Sequence, residues 1–137
     1  MQRVLIDTDV ILDLFLEREP FLSNAEQILL NGKQNYYRCC ITATILLNVF
    51  YVVRKYRGLE IALQSIRMLL FNKDFQILSV DRKTLIAALD FGMKDFEDAV
   101  QASAAHLEKI NLIVTRNLRD FDYSPVRAVS PEEFLAM

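Results

Sequence analysis

The chain has 137 residues, 53% hydrophobic and 25% charged: enough for one domain with a real core, too short for two, and too apolar to be intrinsically disordered. A formal net charge of −2 argues against holding nucleic acid by bulk electrostatics, although a bound cation and local arginines would still let acidic residues face phosphates. Three scattered glycines, Gly32, Gly58 and Gly92, exclude a glycine-rich phosphate cradle.

Short apolar runs alternate with helical patterns along the whole chain, without repeat or linker, which predicts a single α/β domain over residues 1–137 with a mainly parallel sheet covered on both faces. Residues 3–6 form the first strand, and the opening Met1-Gln2-Arg3 leads into it rather than into a signal peptide. A helix near residues 10–17 follows, Pro20 breaks the chain, and a second helix near 23–31 stops at Gly32. A second strand near 36–41 passes to Thr42, the expected N-cap of an unusually apolar helix over 43–56, closed by Arg54, Lys55 and Arg57 in favour of its dipole. Residues 59–71 read as a further helix and 75–78 as a strand. Asp81 then caps a helix reaching about Phe91, with Gly92 as its end. Asp95 opens the next helix, strands follow at 112–114 and near 126–129, and Ser130-Pro131-Glu132-Glu133 starts a short last helix. No window supplies the roughly 18 consecutive apolar residues of a membrane span, so a cytoplasmic protein is expected.

The chemistry gathers at strand ends. Val4-Leu5-Ile6 runs into Asp7-Thr8-Asp9, and Leu112-Ile113-Val114 runs into Thr115-Arg116-Asn117 with Asp120 beyond. Open α/β sheets place their sites at the carboxyl ends of strands. Asp95-Phe96-Glu97-Asp98 supplies a third group of acids at a helix head. Clustered acids without a basic partner suit a hard cation, and Asp7, Asp98 and Asp120 are the candidate ligands for Mg²⁺ or Mn²⁺. His106 is the single histidine, and no Ser/His/Asp arrangement is visible, so water activated by a metal is favoured over a covalent route. Arg116 and Arg119 are candidates to meet phosphates. Other acids have simpler roles: Asp95 as an N-cap, and Asp9 and Asp13 as solvated acids favouring a helix dipole. Adjacent Cys39 and Cys40 read as buried, reduced thiols, because a vicinal disulfide is strained.

Taken together, the start Val4 to Asp13, the segment Ile41-Thr42-Ala43-Thr44 with Asn48 and Tyr51, Asp95 to Ala99, and Val114 to Phe121 resemble the PIN-domain ribonucleases over essentially the whole chain. Small single-domain members of this kind are typically VapC-type toxins of toxin–antitoxin pairs. The resemblance implies a three-layer α/β/α domain with about five strands and an acidic cluster that binds Mg²⁺ or Mn²⁺. It also implies hydrolysis of RNA phosphodiesters to 5′-phosphate and 3′-hydroxyl ends, neutralisation by a small antitoxin protein, and a homodimer. Carried over by position, Asp7 is the first acid, Asn48 stands at the second, Asp98 is the third, and Asn117 with Asp120 cover the fourth. The departure is Asn48, where the family more often has Glu or Asp; an amide there removes one negative charge and weakens cation binding.

Two alternatives stay open at this point. Asp7-Thr8-Asp9 also resembles the nucleophile motif of haloacid-dehalogenase-like phosphatases, although Ile11 stands where Thr or Val is expected and the chain has no room for a cap. The amides Asn48 and Asn117 are compatible with a PIN fold retained as a catalytically weak or inactive interaction module. The apolar helix over 43–56 needs cover on both sides, and Phe50, Tyr51, Tyr36, Tyr37 and Tyr56 are candidate partner contacts, with core packing the better reading for any one of them.

Overall fold

The computed structural model describes residues 1–137. Its strands β1 (Arg3–Ile6), β2 (Arg38–Thr42), β3 (Phe75–Leu78), β4 (Leu112–Val114) and β5 (Arg127–Val129) form one sheet in the order β3-β2-β1-β4-β5. Every neighbouring pair is parallel. The continuous apolar runs explain the arrangement, because a parallel sheet is buried on both faces: Val4, Leu5, Ile6, Ile113 and Val114 have no exposed surface.

Seven helices connect and cover the strands: α1 (Thr8–Phe15), α2 (Leu22–Lys33), α3 (Ala43–Arg57), α4 (Leu59–Phe71), α5 (Arg82–Ala88), α6 (Phe96–Leu107) and α7 (Pro131–Leu135). From β1 to β3 the chain steps outward in one direction, then returns past β1 to lay down β4 and β5. Right-handed crossovers put helices from the two directions on opposite faces, which yields the three-layer α/β/α architecture. The reversal sits between β1 and β4, the switch point at which such sheets open a crevice. Side-chain caps line up along that edge. Asp7, Thr42, Asp81, Asp95 and Ser130 accept backbone N–H bonds from Thr8, Ile45, Thr84, Asp98 and Glu133, fixing the heads of α1, α3, α5, α6 and α7.

Several boundaries depart from expectation for local reasons. α1 starts at Thr8 rather than near residue 10, because Asp7 itself is the cap. α2 runs through Gly32 to Lys33; a Cβ at Gly32 would lie 2.9 Å from Cys39 Sγ, so this glycine permits close approach of α2 to β2 rather than ending the helix. α5 stops at Ala88, and Gly92, at φ +72°, serves the turn beyond it. A 3-10 turn over Leu118–Phe121 follows β4 and was not foreseen.

Among the candidate contacts, Tyr37 takes the core role. It is buried, donates its hydroxyl to the Ile28 carbonyl and meets Phe134 edge-on at 4.8 Å between ring centroids, so it belongs to the core rather than to a partner surface. In α3, Ile45, Val49 and Val53 face inward, whereas Leu47, Tyr51 and Tyr56 are exposed. Cys39 and Cys40 are free and buried, and burial pushes their thiols up to about 12 and about 11, as expected of inert reduced cysteines. No helix is long and apolar enough to cross a membrane.

Candidate functional site

Strands β1 and β4 end side by side, and their last residues are joined. The Asp7 N–H donates to the Val114 carbonyl at 2.9 Å. The buried Thr115 hydroxyl donates to Asp7 Oδ2 at 2.8 Å, while the Thr8 N–H donates to Oδ1, also at 2.8 Å. Asp7 therefore sits buried at the switch point, with each carboxyl oxygen holding one hydrogen bond and spare lone pairs. Burial, then the neighbouring Asp9 charge, pushes it up to about 7 in spite of those bonds.

Asp98 arrives from the first turn of α6, oriented by Asp95, which caps that helix as expected. Its carboxyl is half-buried and is also pushed up to about 7, by burial and then by the charges of Asp7, Asp95, Asp120 and Glu97. Asp120 is carried by the 3-10 turn packed against α6. Asp98 thus feels the charges of Asp7 and Asp120, the other two aspartates expected to converge, and no basic side chain is among the influences on Asp7 or Asp98.

Asn48 and Asn117 stand differently. Asn48, half-buried on α3, donates its amide N–H to Glu97 Oε1 on α6. Asn117 is exposed, its backbone N–H donating to the Thr115 hydroxyl at 3.0 Å, and its side chain does not cap the turn that follows. Glu97 was quoted in the sequence pattern without a role. Its partner lies 49 residues earlier on another helix, beyond any local signal.

A second set of acids occupies the other flank of α1. Asp13, expected to be solvated, is only 1% exposed and takes a bidentate pair of bonds from Arg116, at 2.7 Å from Nε and 2.9 Å from Nη2. Arg18 adds a longer ion pair to Asp13 at 3.8 Å. Asp9, expected on the surface as well, accepts the Arg116 backbone N–H at 2.9 Å. The Arg116 guanidinium stacks 3.8 Å from the centre of the Phe21 ring. Asp13 is therefore structural, Asp9 is held by Oδ2 alone with Oδ1 left without a partner, and Arg116 is occupied rather than free to meet a phosphate.

The donor set of the first flank suits a hard divalent cation. Its oxygens are carboxylates that repel one another without a counter-charge, and two buried oxygens beside them, Thr8 Oγ1 and Asp9 Oδ1, have no hydrogen-bond partner. No trio of Asp, Glu, His or Cys side chains closes into a ready-made cage. A cation that keeps part of its water shell, as Mg²⁺ does, is served by a few carboxylates.

A model of the PIN domain matches residues 3–119, and the chain belongs to that family. The fold is shared with solved chains of a DNA-bound VapBC from Salmonella typhimurium (20% identity, TM-score 0.71, covering 96% of this chain and 99% of that one) and a toxin–antitoxin complex from Klebsiella pneumoniae (21%, 0.68, 93% and 97%). It is also shared with Mycobacterium tuberculosis VapC20, a sarcin-ricin loop cleaving toxin (12%, 0.68, 88% and 92%). At these identities the likeness is one of fold. A search of curated proteins finds no match.

Proposed function

We propose that this PIN-domain chain is a metal-dependent endoribonuclease of the toxin kind, active in the cytoplasm and neutralised by a small antitoxin protein. The observation that carries the reading is the uncompensated acidity at the switch point: Asp7 and Asp98, from a strand end and a helix head, each pushed up to about 7 with no basic side chain among the influences on them. Perturbed groups converging in a crevice are a functional signature. The shared fold with VapC20, a sarcin-ricin loop cleaving toxin, supports the same reading.

In this reading Asp7, Asp98 and Asp120 hold the cation. A bound Mg²⁺ or Mn²⁺ lowers the pKa of a water and polarises the phosphoryl oxygen. Thr115 fixes the Asp7 carboxyl through its hydroxyl, and the Asp95 cap fixes the first turn that bears Asp98. Asn117, beside Asp120, offers an amide to orient water or phosphate. The exposed apolar side chains Leu47, Tyr51, Leu63, Met68 and Phe71 on α3 and α4 favour a covered state with the antitoxin and a second copy of the chain. The match to the PIN domain over residues 3–119 counts against the phosphatase alternative.

The test is cleavage of RNA with and without MnCl₂. Activity should vanish in EDTA, leave 5′-phosphate ends, and fall in Asp7→Asn by more than the roughly 10–100-fold that loss of an outer-shell partner costs. Cleavage indifferent to both EDTA and Asp7→Asn would exclude this mechanism.

A further inference from the structure

Helices α3 and α6 are tied at two places. At the head of α3, Thr42 donates its hydroxyl to Gln101 Oε1, and both residues are fully buried, so that tie is part of the scaffold. Further along α3, Asn48 donates to Glu97, and here the acid is exposed. Helix α6 has no need of the Glu97 carboxylate at its own end, because Asp95 already accepts the Asp98 N–H at 3.0 Å. A favourable helix dipole accounts for an acid in the first turn, but not for its being drawn toward α3.

The geometry points to Glu97 as the fourth acid of the cation site, supplying from α6 the charge that Asn48 does not bring from α3, with Asn48 as the positioning residue that aims it. This rests on the reading that Asp7, Asp98 and Asp120 hold a divalent cation. An amide is suited to the positioning role, since its N–H attracts the Glu97 carboxylate where a second carboxylate at residue 48 would repel it. Glu97 lies near enough for its charge to act on both Asp7 and Asp98, and cation affinity follows the number of ligand charges. The substitution at the second acidic position is therefore compensated rather than inactivating. The pair Asn48 and Glu97 together does what a single acid on α3 would do.

Calorimetric titration of the full chain with MnCl₂ separates the possibilities. Glu97→Gln should weaken Mn²⁺ binding about 10–100-fold. The exchange Asn48→Glu with Glu97→Gln should bring affinity back toward the wild-type value, because one carboxylate and one amide again face each other with the charge moved across the bond. Neither position lies in the core, so both variants should melt within a few degrees of wild type. An unchanged Mn²⁺ affinity in Glu97→Gln, with loss of binding in Asp7→Asn, would overturn the role of Glu97 and leave the metal site standing. A wild-type chain that takes up no Mn²⁺ at millimolar concentration would overturn both.

Discussion

The two flanks of α1 carry the same chemical group in opposite circumstances. On one, Asp13 and Asp9 are met by the guanidinium and backbone N–H of Arg116, with Phe21 stacked behind. On the other, Asp7 feels the charges of Asp9 and Glu97, and Asp98 those of Asp7, Asp95, Asp120 and Glu97, with no cation among them. Burial alone does not separate them, since Asp7 and Asp13 are both buried. What separates scaffold from chemistry is whether a buried acid brings its own counter-charge. The paired flank pins the turn after β4 to α1, and the unpaired flank is left without a counter-charge.

The largest expected effect comes from making the paired flank resemble the other. Asp13→Ala strands Arg116 without its bidentate partner, and unfolding in urea should show a loss of about 2–3 kcal/mol. That is somewhat below the roughly 3–5 kcal/mol of a fully buried pair, because the guanidinium side chain keeps 24% of its exposure. A loss below about 0.5 kcal/mol would mean that the pair contributes no more than a surface salt bridge.

Relieving the unpaired flank should act in the opposite direction. Asp98 titrates at about 7 in the folded chain against an ordinary 3.8, so between those values the folded state binds more protons and stability falls as pH rises. In EDTA, Asp98→Asn should leave the Tm nearly unchanged at pH 4 and raise it at pH 8. Solvent screens a half-buried group, so the gain is about 1 kcal/mol, or about 3–5 °C, while RNA cleavage is lost. A lower Tm at pH 8 would show the acid to be stabilising and the repulsion absent.

The smallest effect sharpens the comparison by geometry alone. Arg116→Lys keeps the charge but loses the planar fork and the stacking on Phe21, and should cost about 1 kcal/mol in the same urea experiment. No measurable cost would mean that charge alone holds the turn.

How far the sequence carried varies with the range of the interaction. β1, β3 and β4 were legible from apolar runs, and the caps Thr42, Asp81, Asp95 and Ser130 from their place before helical patterns, because these signals lie within a few residues. Asp7 was legible as an acid directly following a buried strand. Gly32 was misread because a glycine near a helix end signals termination, whereas here Cys39 on the adjoining strand requires its small size. Asp13 was misread for the same kind of reason: its partner Arg116 lies 103 residues away, and helical periodicity carries no information about a charge arriving from the far end of the fold. The pairing of Asn48 with Glu97 was hidden likewise, so that a departure from the family pattern was seen without its complement.

Strand order carries one more consequence. Because β1 is closed on one side by β4, Asp7 leaves the ribosome 108 residues ahead of the Thr115 hydroxyl that fixes it, and ahead of the Val114 carbonyl as well. The acidic centre therefore cannot assemble until β4 has been translated, and a fragment that stops short of β4 lacks the contacts that fix Asp7.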